Sequence, residues 1–461
     1  MKAPCIVIGG GLSGLAAAIR LARFTPDVLL LEMHTRLGGL NSYYFRNKTL
    51  FETGLHAITN YAEPGNKRAP LNRLLRQLKL NRKSLIFHQQ KQSEIVFSNR
   101  ESLTFSNDFE TLRQEIRLKF PRAENSFNEL CTFLEQFDPF KPTPFRSAKS
   151  YLLSTLKDQL LVDMLLCPLM YYGSSVENDM DLSQFAIMFQ AIYREGFFRP
   201  SGTIKDFLSI FSDHLKHLGG TIRLGAKVER ILYKNNSVYG VRLSSGEIIE
   251  CDHILSTIGH QETRSILELQ DTEPDSGRLG FIESIFQLPA TAKDSLPKDK
   301  TVIFFNAADQ FNYKQPSHFA DYMSGVICMP YNFDGLPLHN SLEIRSTHLA
   351  SYGKWHEIRN DTENYLKEKS ISRRRSLEVV EKIVGNFRNN IIYEDTFTPL
   401  TIERYTAKKH GAIYGSPTKI KDGYIGFDNL FLAGTDQGFL GIVGSMLSGV
   451  SIVNQHILPK I

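Results

Sequence analysis

Gly9, Gly11, Gly14 and Glu32 are the residues of this chain whose types and spacing first suggest chemistry. The glycines stand in Gly9-Gly10-Gly11-Leu12-Ser13-Gly14, a G-x-G-x-x-G that follows directly on the apolar run Cys5-Ile6-Val7-Ile8. Such a turn cradles the pyrophosphate of a dinucleotide. Gly9 permits the tight turn, Gly11 lets the backbone approach the anion with no side chain between, and Gly14 lets a helix pack closely on the strand before it. Glu32 lies at about the twenty-residue offset at which an acid accepts hydrogen bonds from a ribose 2′-hydroxyl. A carboxylate there disfavours a 2′-phosphate, so NADP is not the expected occupant. No competing catalytic set accompanies this motif: the chain has no G-x-S-x-G, no H-E-x-x-H and no P-loop.

The elements that must position these residues follow from periodicity. Cys5 to Ile8 reads as a buried strand; Leu15, Ala18, Ile19 and Ala22 recur at helical spacing, so free N–H groups at the helix start point back at the anion. Val28 to Leu31 is the second strand. Near the other end, Leu430 to Ala433 is a buried strand running through Gly434 to Asp436, and Gly441-Ile442-Val443-Gly444 opens a last helix whose face is Met446, Val450, Val453 and Ile457. Gln437 to Pro459 lacks Asp, Glu, Lys and Arg, but its glycines, serines, Asn454 and Gln455 make it too polar and broken for lipid, so a buried helix is expected.

Between the ends, helical signals dominate from Tyr61 to Arg199. Lys67 to Lys83 carries seven basic residues and no acidic one, with Leu71, Leu74, Leu75 and Leu78 at helical spacing. Two readings are open, a helix lying on an anionic membrane surface or one with leucines in the core and cations in solvent, and the second is favoured. Phe137 to Phe145, with Pro139, Pro142 and Pro144, reads as an ordered loop, and Tyr151 to Tyr172 and Leu182 to Tyr193 as apolar helices. A helix from Ile204 to Leu218 precedes strands at Thr221–Leu224, Lys227–Tyr233, Val238–Leu243, Ile248–Cys251 and His253–Ser256. Beyond Gln261, strands are expected at Phe281–Leu288 and Val302–Phe305 and charged helices from Lys354 to Phe387. His214 and His217 lack a third ligand and read as solvated, so no metal site is expected.

Composition bounds the class. The chain has 461 residues, 42% hydrophobic and 22% charged, which is long enough for two joined domains and typical of a globular protein. A net charge of +5 without clustering or a nucleic-acid motif gives no case for DNA or RNA. Five cysteines with no C-x-x-C argue against a disulfide scaffold or zinc site and fit a reducing, cytoplasmic location. The turn begins at Gly9, which leaves no room for a signal peptide ahead of it.

Arg36-Leu37-Gly38-Gly39, then Glu52-Thr53-Gly54-Leu55-His56, then Thr398-Pro399-Leu400-Thr401 and Gly411-Ala412-Ile413-Tyr414-Gly415 extend the pattern. With these, the chain resembles the flavin amine oxidase superfamily, in its phytoene desaturase, carotenoid isomerase and retinol saturase-like branch. The resemblance is good at both ends and in one internal block, and poor in the middle. It implies an α/β fold: an FAD-binding Rossmann-like domain of the glutathione reductase type, formed by residues 1–60, 200–260 and 401–461. An interleaved α+β substrate domain is expected over 61–199 and 261–400. By the same resemblance, FAD is held by Gly9, Gly11, Leu12, Ser13, Gly14, Glu32, Met33, Arg36, Gly38, Gly39, Leu40, Asn41, Gly54, His56, Val228, Gly434, Asp436, Gly441, Ile442 and Val443. Gly38-Gly39 would lie along the pyrophosphate and ribityl chain, the turn ending at His56 would reach the flavin ring, the Val228 backbone would pair with adenine, and Asp436 would bond a ribityl hydroxyl. Arg199 and Tyr414 are further candidates for the flavin face. No cysteine follows Cys328, so the flavin is expected to be non-covalent.

The activity implied is hydride transfer between the flavin and an apolar polyene or isoprenoid-like molecule, in a greasy cavity with few acids or bases. No general base is named by the sequence. An amine oxidase, a non-redox polyene isomerase and an FAD-binding maturation partner of another enzyme are the alternative readings, and peripheral contact with the inner face of a membrane is compatible with the basic helix.

Overall fold

The computed structural model describes residues 2–54, 56–97, 101–141, 143–269, 277–337 and 341–461. Leu55 of the Glu52–His56 motif and Pro142 of the proline-rich loop lie outside the described residues. Two seven-stranded sheets organise the chain. The first runs in the order Thr221–Arg223, Leu29–Leu31, Lys2–Ile8, Ile248–Ser256, Ser237–Leu243, Val228–Lys234, and Leu430–Leu432 joins the carboxyl half of Ile248–Ser256. The central pairs are parallel, and the last three strands of the row form an antiparallel meander. Apolar runs such as Cys5–Ile8 and Leu29–Leu31 belong in such a parallel core, where helices cover both faces.

Where two strands were expected at Ile248–Cys251 and His253–Ser256, one continuous strand is found. Its first half alternates exposed and buried residues beside the meander, and its last three residues are wholly buried between two parallel neighbours. The exposed Asp252 therefore marks a change of surroundings within one strand, not a break. Tyr151–Tyr172 departs in the opposite sense. It divides into helices Ala148–Leu156 and Gln159–Gly173, because Lys157 adopts a left-handed conformation and the Asp158 side chain caps the second helix.

The second sheet has the order Tyr393–Phe397, Gly280–Pro289, Ser341–Ala350, Ser324–Cys328, Lys300–Asn306, Gln92–Phe97, Ser102–Phe105. Aromatic and aliphatic side chains from the helices between Phe109 and Phe189 pack against part of this sheet in one large core, and Val380 and Val384 of the Thr362–Val384 helix enter a separate core on it. In the basic stretch, helix Pro70–Gln77 buries Leu71, Leu74 and Leu75 and exposes Arg73 and Arg76. All five cysteines are free and buried.

The helix Leu12–Ala22 is buried almost all round, because helices Ile204–His217 and Gly441–Ile452 both pack on it. Small residues make this approach feasible. A Cβ at Gly14 would lie 1.9 Å from the Gly9 carbonyl oxygen, and one at Gly449 would lie 2.2 Å from the Ser13 carbonyl oxygen. Gly441–Lys460 is long and apolar enough by composition to cross a membrane, yet it rests on the Leu12 helix through Gly449. Gly449→Ala is expected to lower stability by about 1–3 kcal/mol through overpacking at this crossing, read as a shift in the chemical denaturation midpoint at unchanged slope.

Candidate functional site

A cavity of about 870 Å³ runs between the two sheets. Glu32, Arg36, Gly39, Leu40 and Asn41 line one end. His56, Ala57, Tyr171, Tyr172, Phe281, Glu283, Val326, Thr347 and Tyr414 line the other, and Gly441 and Ile442 contribute from the start of the last helix. A smaller apolar cavity of about 240 Å³, walled by Phe137, Phe140, Met188, Phe189 and Phe439, shares Leu440 with it.

The residues expected to cradle a phosphate at the amino end have the following geometry. The helix Leu12–Ala22 begins at Gly11 with no side-chain cap, and the helix Gly441–Ile452 likewise begins uncapped after Leu440. No side chain therefore occupies the first N–H groups of either helix. A Cβ at Gly11 would meet nothing within 4 Å. The Ser13 hydroxyl is buried and has no hydrogen-bond partner; Gly434 lies beside it, with its Cβ position 3.8 Å from Ser13 Oγ. Gly38 donates its N–H to the Gly10 carbonyl at 2.9 Å, which lays the second glycine loop against the first.

The expected site residues divide into those that line the cavity and those that build its walls. Glu32, Arg36, Gly39, Leu40, Asn41, Gly54, His56, Gly441 and Ile442 line it. Gly9, Gly14 and Gly38 shape the turn behind it. Leu12 and Val443 bury their side chains in the core of the first sheet, Met33 follows Glu32 outside the lining, and Val228 sits buried at the start of its strand, opposite Leu243. Glu32 is also more engaged than expected: its carboxylate accepts the N–H of Gly10 at 2.7 Å and of His34 at 2.8 Å, so only its remaining lone pairs face the cavity.

Asp436 is the residue expected at a ribityl hydroxyl. It is 2% exposed, outside the cavity lining, and its oxygens accept the N–H groups of His260 and Ser416 at 2.7 and 2.8 Å. Lys408 Nζ lies 3.6 Å from it and 3.6 Å from Glu262. Burial alone would raise the Asp436 carboxyl, but Lys408, Lys419 and the two amides bring it down to about 2. Asp436 thus pins the strand end behind Thr435, which does line the cavity.

A second buried charge cluster reaches the cavity itself, and the sequence pattern did not reveal it. Arg345, 0% exposed, donates to Glu283 at 2.9 Å, to Glu343 at 2.8 Å and to the Glu52 carbonyl at 2.7 Å. Arg199 donates to the Glu52 carboxylate at 2.6 Å, and His56 Nε2 lies 2.8 Å from Glu283. Burial would raise the Glu283 carboxyl, but His56 and Arg345 hold it below the usual range. A carboxylate and an imidazole thus meet on the cavity wall, beside the aromatic side chains. The available signal was a lone Glu in the apolar strand Gly280–Pro289. Tyr414 lines the cavity and donates its hydroxyl to the Tyr171 carbonyl, and Arg199 is buried in the pair with Glu52.

Comparison with known proteins gives a consistent result. The sequence profile of the flavin containing amine oxidoreductases matches residues 12–291. The 4,4'-diaponeurosporene oxygenase of Staphylococcus aureus is 24% identical over 451 aligned residues, covering 89% of this chain and 87% of the relative. Among solved structures, an oxidoreductase from Methanosarcina mazei superposes with a TM-score of 0.68 at 17% identity, covering 98% of this chain and 100% of its own. Putrescine oxidase bound to putrescine superposes with a TM-score of 0.60 at 14% identity, covering 98% of each chain.

Asp436 stays ionised in the folded chain down to about pH 2, whereas the unfolded chain protonates it near its ordinary value of 3.8. Its contribution to stability, about 2 kcal/mol, is thus complete above about pH 4 and is lost as pH falls toward 2. Asp436→Asn is expected to be less stable than the parent at pH 6, with the gap narrowing as denaturation is measured from pH 4 downward.

Proposed function

The chain belongs to the flavin containing amine oxidoreductase family and is an FAD-dependent oxidoreductase; we propose that its substrate is an apolar, polyene-like chain. The observation that carries this reading is a cavity that runs from Glu32 and from Gly39, which packs against the Gly11 backbone, to an aromatic compartment. The residues fit FAD. The uncapped start of the Leu12 helix, the open space at Gly11 and the unpartnered Ser13 hydroxyl suit a pyrophosphate, and the free lone pairs of Glu32 suit a ribose. Bound there, FAD supplies a two-electron hydride acceptor.

The chain's own residues supply the rest. The first N–H groups of the Gly441 helix favour negative charge at the middle of the cavity. Tyr171, Tyr172, Phe281, Val326 and Leu440 give the compartment an apolar wall, and a second apolar cavity lies against the other side of Leu440. The carotenoid-related name of the Staphylococcus aureus relative supports a polyene.

Purified protein is expected to be yellow and to release its flavin to the supernatant on acid precipitation; colour left in the pellet would overturn non-covalent binding. Under anaerobic conditions 4,4'-diaponeurosporene or a related polyene should bleach the oxidised-flavin absorbance, and bleaching by putrescine with none by polyenes would sink the substrate assignment. Because Gly11 has open space above it, Gly11→Ala should fold as stably as the parent apoprotein and bind FAD at least tenfold more weakly, read by flavin titration.

Peripheral contact with an anionic bilayer belongs to the same proposal. Lys67, Arg68, Arg73, Arg76, Lys79 and Lys83 are all exposed on the basic stretch, and Pro70 beside them borders the smaller apolar cavity. Co-sedimentation with phosphatidylglycerol vesicles should be seen at low salt and lost at high salt; pelleting that does not depend on lipid removes this contact.

A further inference from the structure

Glu283 supplies the carboxylate of the aromatic compartment. It projects from strand Gly280–Pro289 on the same face as Phe281, two residues before it, and lies opposite Thr347 on the neighbouring strand; all three line the cavity. Both of its oxygens are anchored, one to His56 at 2.8 Å and the other to Arg345 at 2.9 Å, and each retains a lone pair. Arg345 is itself immobilised by Glu343 and the Glu52 carbonyl. The tyrosine hydroxyls of the compartment, Tyr171, Tyr172 and Tyr414, are driven upward by burial and stay neutral. Glu283 is therefore the carboxylate set among Tyr171, Tyr172, Phe281, Val326 and Tyr414, with His56 as its partner on the cavity wall. Replacing such a buried ion cluster by apolar residues is often neutral or stabilising, so fold stability alone does not account for its place at the cavity.

Building on the FAD-dependent reading above, we propose that Glu283 is a catalytic residue that faces the positive charge developing on the substrate as hydride leaves and then accepts the proton from the neighbouring carbon. One C–H bond breaks and its hydrogen departs with both electrons to the oxidised flavin, the oxidant of the step. The adjacent C–H bond breaks, its proton passes to the Glu283 carboxylate, and its electron pair becomes the second bond of a new C=C. The substrate loses two hydrogens, the flavin gains two electrons and one hydrogen, and the carboxylate holds one proton that it later returns to water. An anion preorganised in a dry site is suited to this, because it needs no reorientation as charge appears. His56 and Arg345 are positioning residues, since they act by holding the carboxylate.

The test uses the FAD-loaded full chain and two chains of equal length, the permanent cation dodecyltrimethylammonium and the neutral dodecanol, each titrated below its aggregation concentration and read by perturbation of the flavin spectrum. The parent protein should bind the cation about tenfold or more tightly than the alcohol, and Glu283→Gln should abolish that preference while leaving dodecanol binding unchanged. With a polyene that bleaches the flavin, Glu283→Gln should slow bleaching about 10²–10⁴-fold. A parent protein without cation preference, or a Gln variant that keeps it, overturns the proposal. Should Glu283→Gln fail to retain FAD, Glu283→Asp is read in the same way, and a preference that does not weaken is the contrary result. Protein that takes up no FAD at all fails the flavin reading instead, so the two failures are distinguishable.

Discussion

The closeness of the Leu12–Ala22 helix to its neighbours is the constraint on which the rest depends. Its backbone lies so near the Gly9 carbonyl that residue 14 has no room for a side chain, and the last helix lies so near Ser13 that residue 449 has none either. Glycine is disfavoured inside helices, and here that penalty is accepted because backbone-to-backbone packing stacks two helices against one sheet. With the Leu12 helix in place its amino end is left without a side-chain cap, and the Gly441 helix, docked on it, brings its own uncapped end to the cavity. The glycine turn and the cavity wall thus share one frame.

The second sheet is tied by charge to the hairpin Tyr43–Glu52 and to the strand Phe197–Pro200. Glu52 closes a short hairpin that follows the dinucleotide turn, Arg345 and Glu283 belong to adjacent strands of the second sheet, and Arg199 belongs to the strand Phe197–Pro200. Their hydrogen bonds cross residue separations of 62 to 293. Each ion has charged or backbone partners, which is the condition under which such a cluster can be buried at all. The consequence for function is that His56, from the first part of the chain, and Glu283, from the second sheet, meet at hydrogen-bond distance inside the cavity. A similar logic holds on the far side, where Lys408 and two amides fix Asp436 behind the wall that Thr435 presents.

What could be read from the sequence was whatever rests on contacts close along the chain. The glycine turn, the helix after it, the acid at residue 32 and the apolar strand before Asp436 are local patterns, and the structure places them as strand, uncapped helix and cavity edge. The leucines of the basic stretch were likewise legible, since their helical spacing already implied a buried face. Tertiary structure alone decided the rest. Whether Asp436 faced a ligand or two backbone amides depended on Ser416 and His260, 20 and 176 residues away. The strands Ser324–Cys328 and Ser341–Ala350 carry too little alternation to announce themselves, and Glu283 is one acid in an apolar run until Arg345 and His56 are brought to it. Periodicity reports which side of an element is buried; it cannot report what stands opposite, and the charge inside this cavity is a property of what stands opposite.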